Sequence, residues 1–584
     1  MRIKIDRVRV KNFRSLQSVE TKLGNVTLLL GANNSGKTSF LRALTIALNS
    51  ERKFISKDDL FIDRNGDLPS DPRIIIDIEI KPEVAYTFTD AWAQLFGTDI
   101  QLNEHNEEFF AYRTIVDFSL QQSEAKIKRY LIVDWESDTS ETQEISAVMS
   151  AVPMYFIDAQ RDLQDDLKYA NSYFGRLASQ IEYDEEQKRN IEVQLSDLNQ
   201  QSVDRSSVLS HLKASLTELN RTVQSSGGGV EITPFPRRIR DLHKGLSVNF
   251  RDGDSESFSL EYHGMGTRSW ASLLGYKAFI SWIKKDADDQ STMLHPILAL
   301  EEPEAHLHPN AQRQVYSQLE RVEGQKIIST HSPYIAPLAS VQDLRLFYKD
   351  RDSTYIADLV ELVSTLNQKQ LHRLKNEIIY SRGELLFSRI VIFFEGQTEE
   401  YTLPIFAQCY WNCPTYEKGI TLIRTGDSYM VFVKLLEIIR IPWVIFSDYD
   451  TDSVRSKVDM VASEIGVDPA GIAEDQRFIL LSNSIEKYLI ESGYRDHLVD
   501  ALHSFTEPNY ANEHHRIAKR EEREKEKQQL TDLPDDDLLR RVDNWKSKIG
   551  PIWAKSITEH ADEDKRIPSK IKDLFTIVDQ SLQL

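Results

Sequence analysis

The sequence predicts an α/β protein with a nucleotide-binding part at its N-terminus and a second α/β part at its C-terminus. Short apolar runs that end in a glycine-rich turn or in carboxylates alternate with helical segments, which is typical of parallel sheets covered by helices. A length of 584 residues indicates several domains. Apolar residues make up 40% and charged residues 28% of the chain, a balance that is typical of globular proteins.

The net charge of the chain is strongly negative. Lysine and arginine number 71 against 91 aspartate and glutamate, which gives a formal charge of −20. Such a chain gains no overall attraction to DNA, so any contact must come from local basic patches or through divalent cations. No apolar run is long enough to span a membrane, and the N-terminus is typical of a strand rather than a signal peptide. We therefore expect a cytoplasmic protein without a membrane partner.

The N-terminal part of the chain is predicted to be rich in strands. Residues 2–10 alternate between charged and aliphatic side chains, and residues 26–30 form a short apolar run. Further strands are predicted at 73–81, 110–120 and 129–134.

A helical segment interrupts this pattern between residues 165 and 230. Leucine, isoleucine and valine recur there at a spacing of three and four among polar residues, and a glycine-rich linker at 225–229 follows. The pattern predicts a helical hairpin or short coiled coil. Two interpretations stay open, a helix pair at the surface and a dimerisation element inserted into the nucleotide-binding domain.

Strands and helices alternate after the linker, which predicts a mostly parallel sheet. The segments are the strands 246–250, 257–262, 294–300 and 325–329 and the helices 269–284 and 309–321. A second α/β unit begins near residue 384 with buried strands at 390–394 and 443–446. Residues 514–530 form a charge-dense helix of mixed sign, which is either a solvated face or a contact to DNA.

A complete phosphate-binding motif, GANNSGKT, occupies residues 31–38. Its glycines let backbone N–H groups face a phosphate, Lys37 supplies positive charge to the outer phosphates, and Thr38 offers its hydroxyl to magnesium. We therefore expect ATP to bind here. The residues expected to contact the nucleotide are Asn33, Gly36, Lys37, Thr38 and Ser39.

The apolar run that ends at residue 300 is followed by Glu301 and Glu302. In nucleotide hydrolases the first acid of such a pair holds magnesium and the next polarises the attacking water. We therefore predict Glu301 as a metal ligand and Glu302 as the general base. His331 follows the next predicted strand, where it can sense the γ-phosphate or orient water.

These motifs, in this order, resemble the ABC-type ATPases of the SMC, RecF and OLD class. The opening KNFRSL is similar to that class, and the resemblance implies that Arg14 lies near the nucleotide. It also implies a signature loop, which HGMGTRS at 263–269 matches best although it departs from LSGGQ. Gly266 would then face a γ-phosphate bound by a second subunit, and the protein would be a homodimer or a higher homo-oligomer.

The resemblance further implies a glutamine loop, which the sequence does not place. Gln160 is one option and the stretch SKDD at 56–59 is another.

Two apolar runs of the second α/β unit end in carboxylates. The first is followed by Glu395 and Glu399, the second by Asp448 and Asp450. The carboxyl ends of parallel strands meet at one edge of a sheet, where ligands bind in open α/β folds. Oxygen ligands suit Mg²⁺ or Mn²⁺, and two such ions about 3.5–4 Å apart clamp an in-line phosphodiester displacement. The pattern therefore predicts a metal-dependent site that acts on phosphodiesters.

This pairing of motifs resembles the Toprim fold of topoisomerases, primases and OLD nucleases. The resemblance implies that Glu395 and Glu399 serve one metal site and that Asp448 and Asp450 serve the shared or second one. It also implies a later acid, matched by Glu486, as a ligand of the second metal. A lysine would stabilise the phosphate in the transition state; of the candidates near the C-terminus, Lys565, Lys570 and Lys572, the first fits best.

Both motif sets together resemble the OLD family of endonucleases. The implied architecture is an ABC-type ATPase head at 1–164 and 231–380, a helical dimerisation insertion at 165–230, and a Toprim nuclease domain at 384–584. The implied activity is ATP binding or hydrolysis and metal-dependent cleavage of DNA in bacterial antiphage defence. Members of the family stand alone or work with a helicase, as in Gabija systems, or with a retron reverse transcriptase and its DNA.

A different class of function stays open. It is a DNA-repair ATPase of the SMC or RecF kind whose Toprim domain binds metal or DNA without catalysis. A topoisomerase or primase lacks support, since no tyrosine motif or zinc ribbon stands out in the sequence.

Overall fold

The structure of the protein is a computed structural model. The residues that it describes are 3–48, 55–63, 65–84, 86–118, 126–137, 143–145, 149–158, 172, 184–210, 249–250, 258–259, 262–376, 383–425, 429–507 and 513–583. The chain divides into two compact units. The first comprises Met1–Leu30, Asn34–Leu338 and Lys349–Ile356, and the second comprises Gly31–Asn33, Ala339–Tyr348 and Ala357–Leu584.

Strands and helices alternate along most of the described chain. The strands are β1 (Ile3–Phe13), β2 (Leu16–Lys22), β3 (Val26–Leu30), β4 (Arg73–Pro82), β5 (Gln101–Leu102), β6 (Glu108–Asp117), β7 (Lys126–Leu131), β8 (Met154–Ile157), β9 (Asn249–Phe250), β10 (Phe258–Ser259), β11 (Ile297–Glu301), β12 (Gln325–Ser329), β13 (Leu344–Asp350), β14 (Ser353–Asp358), β15 (Ile390–Phe394), β16 (Ile420–Arg424), β17 (Trp443–Asp448) and β18 (Phe478–Leu481). The helices are α1 (Lys37–Leu48), α2 (Asp90–Phe96), α3 (Glu185–Arg205), α4 (Met265–Asp289), α5 (Pro309–Glu320), α6 (Val360–Thr365), α7 (Gln368–Arg373), α8 (Gln397–Trp411), α9 (Met430–Ile438), α10 (Asp452–Glu464), α11 (Ile485–Glu491), α12 (Arg495–Phe505), α13 (Glu513–Ala518), α14 (Arg520–Thr531), α15 (Asp535–Asp543), α16 (Lys546–His560) and α17 (Ser569–Gln583). None of these described helices is long and apolar enough to cross a membrane.

An antiparallel sheet forms one layer of the first unit. Its strands follow the order β2-β1-β4-β6-β5, and β7 pairs with β6. Both faces of β4 are buried, including Asp77 and Glu79. Arg113 donates hydrogen bonds of 2.8 and 2.9 Å to Asp77, and Arg7 donates bonds of 2.7 and 2.9 Å to Glu79. Pairing keeps these carboxylates from being buried as isolated charges.

Four strands of a second sheet run parallel in the order β3-β12-β11-β8. The residues of β3, β11 and β12 are almost all buried, as expected for a sheet covered on both faces. Ser329 lies opposite both Leu29 and Glu301, so the carboxyl ends of β3, β11 and β12 reach the same edge. Each of these ends leads into one motif: β3 into the phosphate-binding motif, β11 into the Glu301–Glu302 pair, and β12 into the loop that carries His331.

Most predicted elements of this unit are confirmed, with shifted ends. The helix predicted at 269–284 extends from Met265 to Asp289, and the one predicted at 309–321 is Pro309–Glu320. Of the strand predicted at 246–250, only Asn249–Phe250 is described. The predicted helical insertion is described as α3, which Asp184 caps at its N-terminus. Gln160, the linker at 225–229 and most of the remaining insertion lie outside the described residues.

The second unit contains a parallel four-stranded sheet in the order β16-β15-β17-β18. Its core is continuous with the C-terminal helices, because Trp553 of α16 and Phe575 of α17 are fully buried among residues of the sheet and of α8. The predicted strand at 443–446 continues to Asp448. The predicted charge-dense helix at 514–530 is two helices, α13 and α14.

Candidate functional sites

The loop of the phosphate-binding motif requires glycine at Gly36. Its φ of 103° is left-handed, and a Cβ atom there would lie 2.5 Å from Oγ1 of Thr354 and 3.0 Å from Oγ of Ser15. Asn34 also adopts a left-handed conformation, with φ at 63°. The loop ends where α1 begins at Lys37, so the N–H groups of the first helical turn are available to an anion. This conformation fits a bound phosphate chain.

The turn between β1 and β2 packs against that loop. Oγ1 of Thr354 lies 2.9 Å from Oγ of Ser15 and 3.0 Å from the carbonyl oxygen of Ser35. The guanidinium of the adjacent Arg14 forms an ion pair of 2.8 Å with Asp59, whose carbonyl accepts a 2.8 Å hydrogen bond from the N–H of Arg14. The stretch 56–59, one option for the glutamine loop, therefore holds Arg14 in place.

Lys37 is buried beside the acids that follow β11. It is 5% exposed, and burial lowers the pKa of its ammonium group to about 8, although Glu302, Glu301 and Glu304 act in the opposite direction. Thr38 donates a hydrogen bond to Glu301. The hydroxyl and the carboxylate predicted to hold magnesium therefore lie next to each other, and both are the oxygen donors that this ion prefers.

Glu302 and His331 contact each other at the end of the sheet. Nε2 of His331 lies 3.1 Å from Oε1 of Glu302. Burial, followed by the charge of Lys37, lowers the pKa of His331 even though Glu302 opposes the shift. The neutral ring therefore donates a hydrogen bond to the carboxylate. Glu302 has a φ of 45°, a conformation that side chains other than glycine rarely adopt and that is frequent at functional sites.

Glu304 is a functional candidate to which the sequence assigned no role. It is 9% exposed, and burial raises the pKa of its carboxyl group. Its Oε1 accepts hydrogen bonds from the hydroxyl of Thr330 at 2.6 Å and from the N–H of His331 at 2.8 Å. Glu304 therefore fixes the backbone that carries His331. Its position in the motif EEPEAHLHP is the signal that could have identified it.

Gly266 has a packing role within its own chain. Helix α4 begins at Met265, so Gly266 lies in the first helical turn instead of in a loop before the helix. A Cβ atom on Gly266 would lie 2.7 Å from the carbonyl oxygen of His306, in the turn that follows Glu302. This close approach requires a small residue independently of any nucleotide on a second subunit, so the signature role of Gly266 stays a prediction.

A cavity of about 390 Å³ lies at the carboxyl edge of the sheet in the second unit. Three of the predicted metal ligands, Glu399, Asp448 and Glu486, line it. Glu399 lies on α8, which follows β15, Asp448 is the last residue of β17, and Glu486 lies on α11, which follows β18. These three strands are neighbours in the sheet. The remaining lining residues are Gly396, Gln397, Thr398, Ile485, Asp543, Asn544 and Ser547.

Two of these carboxylates are almost completely buried. Glu399 is 4% and Glu486 1% exposed, and the hydroxyl of Thr398 donates a hydrogen bond of 3.1 Å to Glu486. A Cβ atom on Gly396 would overlap Oε2 of Glu399, so the glycine of the E-G-x-T-E motif makes room for that carboxylate. Asp448 is the last residue of β17 and lies between them in the lining.

Other predicted residues of this site lie outside the lining of the cavity. Oε1 of Glu395 forms an ion pair of 3.1 Å with Nζ of Lys457 on α10. Asp450 is exposed beyond the end of β17, where strand alternation no longer places it on the side of Asp448. Lys565 is exposed, and its Nζ lies 3.9 Å from Asp562.

Asp543, Asn544 and Ser547 are lining residues that the sequence did not reveal. They lie where α15 ends and α16 begins, far along the chain from the strand ends. No apolar run or glycine marks this position as a site, so only the fold brings it to the cavity.

The donors around the cavity fit a hard divalent cation. Four carboxylates, two amides and two hydroxyls line it, and these are the oxygen ligands that such cations take. Among the described residues, however, no three His, Cys, Asp or Glu side chains are gathered as a ready-made metal centre. The cavity leaves room for water ligands, which magnesium usually retains.

The fold and the two sites define a protein that joins a phosphate-binding ATPase domain to an α/β domain with a carboxylate-lined cavity. Residues 3–336 match the family model of the AAA ATPase domain, and the chain belongs to that family. Residues 386–450 match the TOPRIM domain of proteins like the overcoming lysogenization defect (OLD) protein. The chain is therefore an OLD-type enzyme with an ATPase domain and a TOPRIM nuclease domain.

Similar proteins share both parts of the chain. An OLD nuclease from Thermus scotoductus is 24% identical over 490 residues, which cover 78% of this chain and 84% of that protein. Endonuclease GajA from Bacillus cereus is 23% identical over 476 residues, which cover 78% of this chain and 76% of the relative. A solved C-terminal region of the OLD protein from Xanthomonas campestris is 24% identical, covers 34% of this chain and 97% of that chain, and has a TM-score of 0.27.

Proposed function

We propose that the protein is a DNA endonuclease that depends on Mg²⁺ or Mn²⁺, is regulated by ATP and acts in bacterial antiphage defence. The observation that carries the proposal is the cavity lined by Glu399, Asp448 and Glu486 in the TOPRIM unit of a chain that also has an ATPase domain. The names of the similar OLD nuclease and endonuclease GajA support cleavage of nucleic acid.

In the ATPase domain, Lys37 binds the outer phosphates and the adjacent Thr38 and Glu301 hold the nucleotide's magnesium. Glu302 accepts the proton of the attacking water, and its contact with His331 orients the carboxylate. The neutral ring orients Glu302 through one hydrogen bond to Oε1 and adds no positive charge beside the carboxylate, whose other oxygen can accept the proton of water. Asn33, Gly36 and Ser39 complete the contacts to ATP, and Gly266 contacts the nucleotide of a second subunit.

In the TOPRIM domain, Glu399, Asp448 and Glu486 would hold the cations, and Glu395 and Asp450, which lie outside the lining of the cavity, would be further ligands. Held there, Mg²⁺ or Mn²⁺ would supply an activated water and would neutralise charge on the phosphate. The buried carboxylates keep their positions because Gly396 and Thr398 pack against them. Lys565 is proposed to stabilise the leaving group.

The proposed partners are DNA and a second copy of the chain. The ATPase domain and the helical insertion would form the homodimer or higher oligomer, and cytoplasmic DNA would be the substrate. A helicase, as in Gabija systems, or a retron reverse transcriptase with its DNA is the proposed additional partner.

The test is cleavage of plasmid DNA by the purified full chain with Mg²⁺ or Mn²⁺, with and without ATP. Asp448→Asn and Glu395→Ala should abolish cleavage and leave ATP binding intact. Asp452→Asn is the matched control, because Asp452 is fully exposed at the start of α10. Cleavage at the wild-type rate by Asp448→Asn and Glu395→Ala would refute the proposal.

A second candidate function is a DNA-repair ATPase whose TOPRIM domain binds metal or DNA without cutting. The ion pair of Glu395 with Lys457, outside the lining of the cavity, favours it. The same assay separates the candidates, since this protein would hydrolyse ATP and leave plasmid intact with both metals.

A further inference from the structure

The junction of α15 and α16 carries an exposed aromatic ring beside the carboxylate cavity. Asp543, Asn544 and Ser547 of this junction line the cavity. Trp545, between Asn544 and the first residue of α16, caps that helix and is 43% exposed. A solvent-exposed indole lacks the favourable free energy that burial of the ring would provide. An exposed tryptophan next to a site is therefore a candidate for contact with a ligand.

Neighbouring side chains hold the indole of Trp545. Its ring centroid lies 5.4 Å from that of Phe505, with 50° between the planes, and Nζ of Lys548 lies 4.8 Å from the centroid. The first contact fixes the ring against α12, and the second places a cation at the aromatic surface. The ring is therefore preorganised and partly accessible, which reduces the entropy that a ligand must overcome in stacking on it.

The charge of this segment is opposite to that of the whole chain. Residues 540–548 contain four lysines and arginines and a single acid, Asp543, whereas the complete chain has a formal charge of −20. Arg541 and Lys548 are exposed, and the side chain of Arg540 is 81% exposed despite its 3.3 Å ion pair with Asp537. A local basic surface is what an acidic protein needs for contact with phosphates.

We propose that Trp545, Arg541 and Lys548 form a binding surface for single-stranded DNA at the entrance of the carboxylate cavity. A base stacks on the indole and the two cations contact the flanking phosphates, a combination that binds unpaired strands with little sequence preference. The substrate class is therefore DNA with unpaired bases beside the bond to be cut. This inference rests on the proposed nuclease function, since it concerns the DNA presented to that site.

The test measures binding of a fluorescent single-stranded oligonucleotide to the full chain, in the Asp448→Asn background so that the DNA stays intact. Trp545→Ala should weaken binding about 10-fold or more, the scale of one base–aromatic stack. Trp545→Phe should restore most of the affinity because it keeps an aromatic face. The pair Arg541→Glu and Lys548→Glu should weaken binding at low salt and reduce its salt dependence.

Two control variants test whether the effect belongs to this surface. Tyr416→Ala removes a ring that is 77% exposed in the same unit, and Lys525→Glu reverses an exposed charge on α14. Both should bind like the parent. A blunt duplex should be affected less than 3-fold by Trp545→Ala, because its bases are already stacked.

The inference is overturned if Trp545→Ala and the charge-reversed variant bind the single strand no more weakly than the two controls. It is also overturned if Lys525→Glu causes the larger loss, which would assign the contact to α14. Failure of the proposed function is a separate result, namely the absence of metal-dependent plasmid cleavage by the wild-type chain while the binding series behaves as expected.

Discussion

Glu304 acts on the ATPase site through another residue, so its substitutions separate positioning from nucleotide binding. Glu304→Ala removes the acceptor for Thr330 and for the N–H of His331. We expect ATP hydrolysis to fall about 100-fold, because misplacement of catalytic groups by about 1 Å costs that much. Nucleotide affinity should change little, since Lys37 and Thr38 are untouched.

The conservative variant provides the control for that prediction. Glu304→Gln keeps an acceptor oxygen and should retain most of the hydrolysis rate. Steady-state ATPase rates and nucleotide titrations measure the two effects. Equal losses in both variants, or a parallel loss of nucleotide affinity, would contradict a positioning role.

The lowered pKa of His331 makes the stability of the folded chain depend on pH. Its pKa is lowered from 6.5, chiefly by burial, so below about pH 6.5 the unfolded chain binds a proton that the folded protein still lacks. Stability therefore falls as the pH drops from about 6.5 toward the lowered pKa, and His331 contributes no change above about 6.5. The urea midpoint of the wild type should fall more than that of His331→Gln between about pH 7.5 and about pH 5.5. A larger fall in the variant would contradict the direction of the shift.

At the scale of elements, the start of α4 is coupled to the turn after β11 by the contact between Gly266 and His306. Gly266→Ala places a methyl group 2.7 Å from the carbonyl oxygen of His306 and should displace the turn that holds Glu302. We expect a clear loss of ATP hydrolysis. Gly264→Ala is the matched control, because nothing lies within 4 Å of its added Cβ atom. Similar activity of both variants would show that the close approach has no effect on the site.

The start of α8 allows the same comparison in the TOPRIM domain. Gly396→Ala would overlap the carboxylate of Glu399, so it should weaken Mn²⁺ binding and DNA cleavage without changing ATP binding. Gly471→Ala adds the same methyl group where nothing lies within 4 Å and should behave like the wild type. Titration of Mn²⁺ in the absence of nucleotide measures the effect. Unchanged Mn²⁺ affinity in Gly396→Ala would contradict the expected displacement of the Glu399 carboxylate.

Elements that the chain encodes locally could be predicted from the sequence. The strand before Gly31 and those before Glu301, Glu395 and Asp448 are short apolar runs, and the residues just beyond them lie at sheet edges as expected. Parallel pairing then brings ends that are distant in sequence to a common edge, which is why Glu399, Asp448 and Glu486 share one cavity.

Features that depend on packing between distant elements could not be predicted. Asp543 and Asn544 reach the cavity because α15 and α16 cover the sheet, and nothing in their neighbourhood marks a site. The ion pair between Glu395 and Lys457 depends on the orientation of α10. The position of Gly266 inside α4 was missed because glycines before a predicted helix usually indicate a loop.

At the scale of the whole molecule, the chain combines a strongly acidic composition with two sites for phosphate chemistry. The net charge of −20 repels DNA, so bound cations and a local basic surface are needed to bring a phosphodiester to the cavity. Cleavage should therefore depend on divalent metal, whereas binding of a single strand at the surface around Trp545 should respond mainly to salt.

The proposed nuclease activity depends on acids from separate elements of the TOPRIM domain that hold divalent cations. Its most direct test is Mn²⁺ binding to the nucleotide-free full chain, measured together with plasmid cleavage, for the wild type, Glu399→Gln, Asp448→Asn and the control Asp452→Asn. We expect Glu399→Gln and Asp448→Asn to lose both Mn²⁺ binding and cleavage while they retain ATP binding, and the control to retain all three. Wild-type Mn²⁺ binding and cleavage in Glu399→Gln and Asp448→Asn would contradict this dependence.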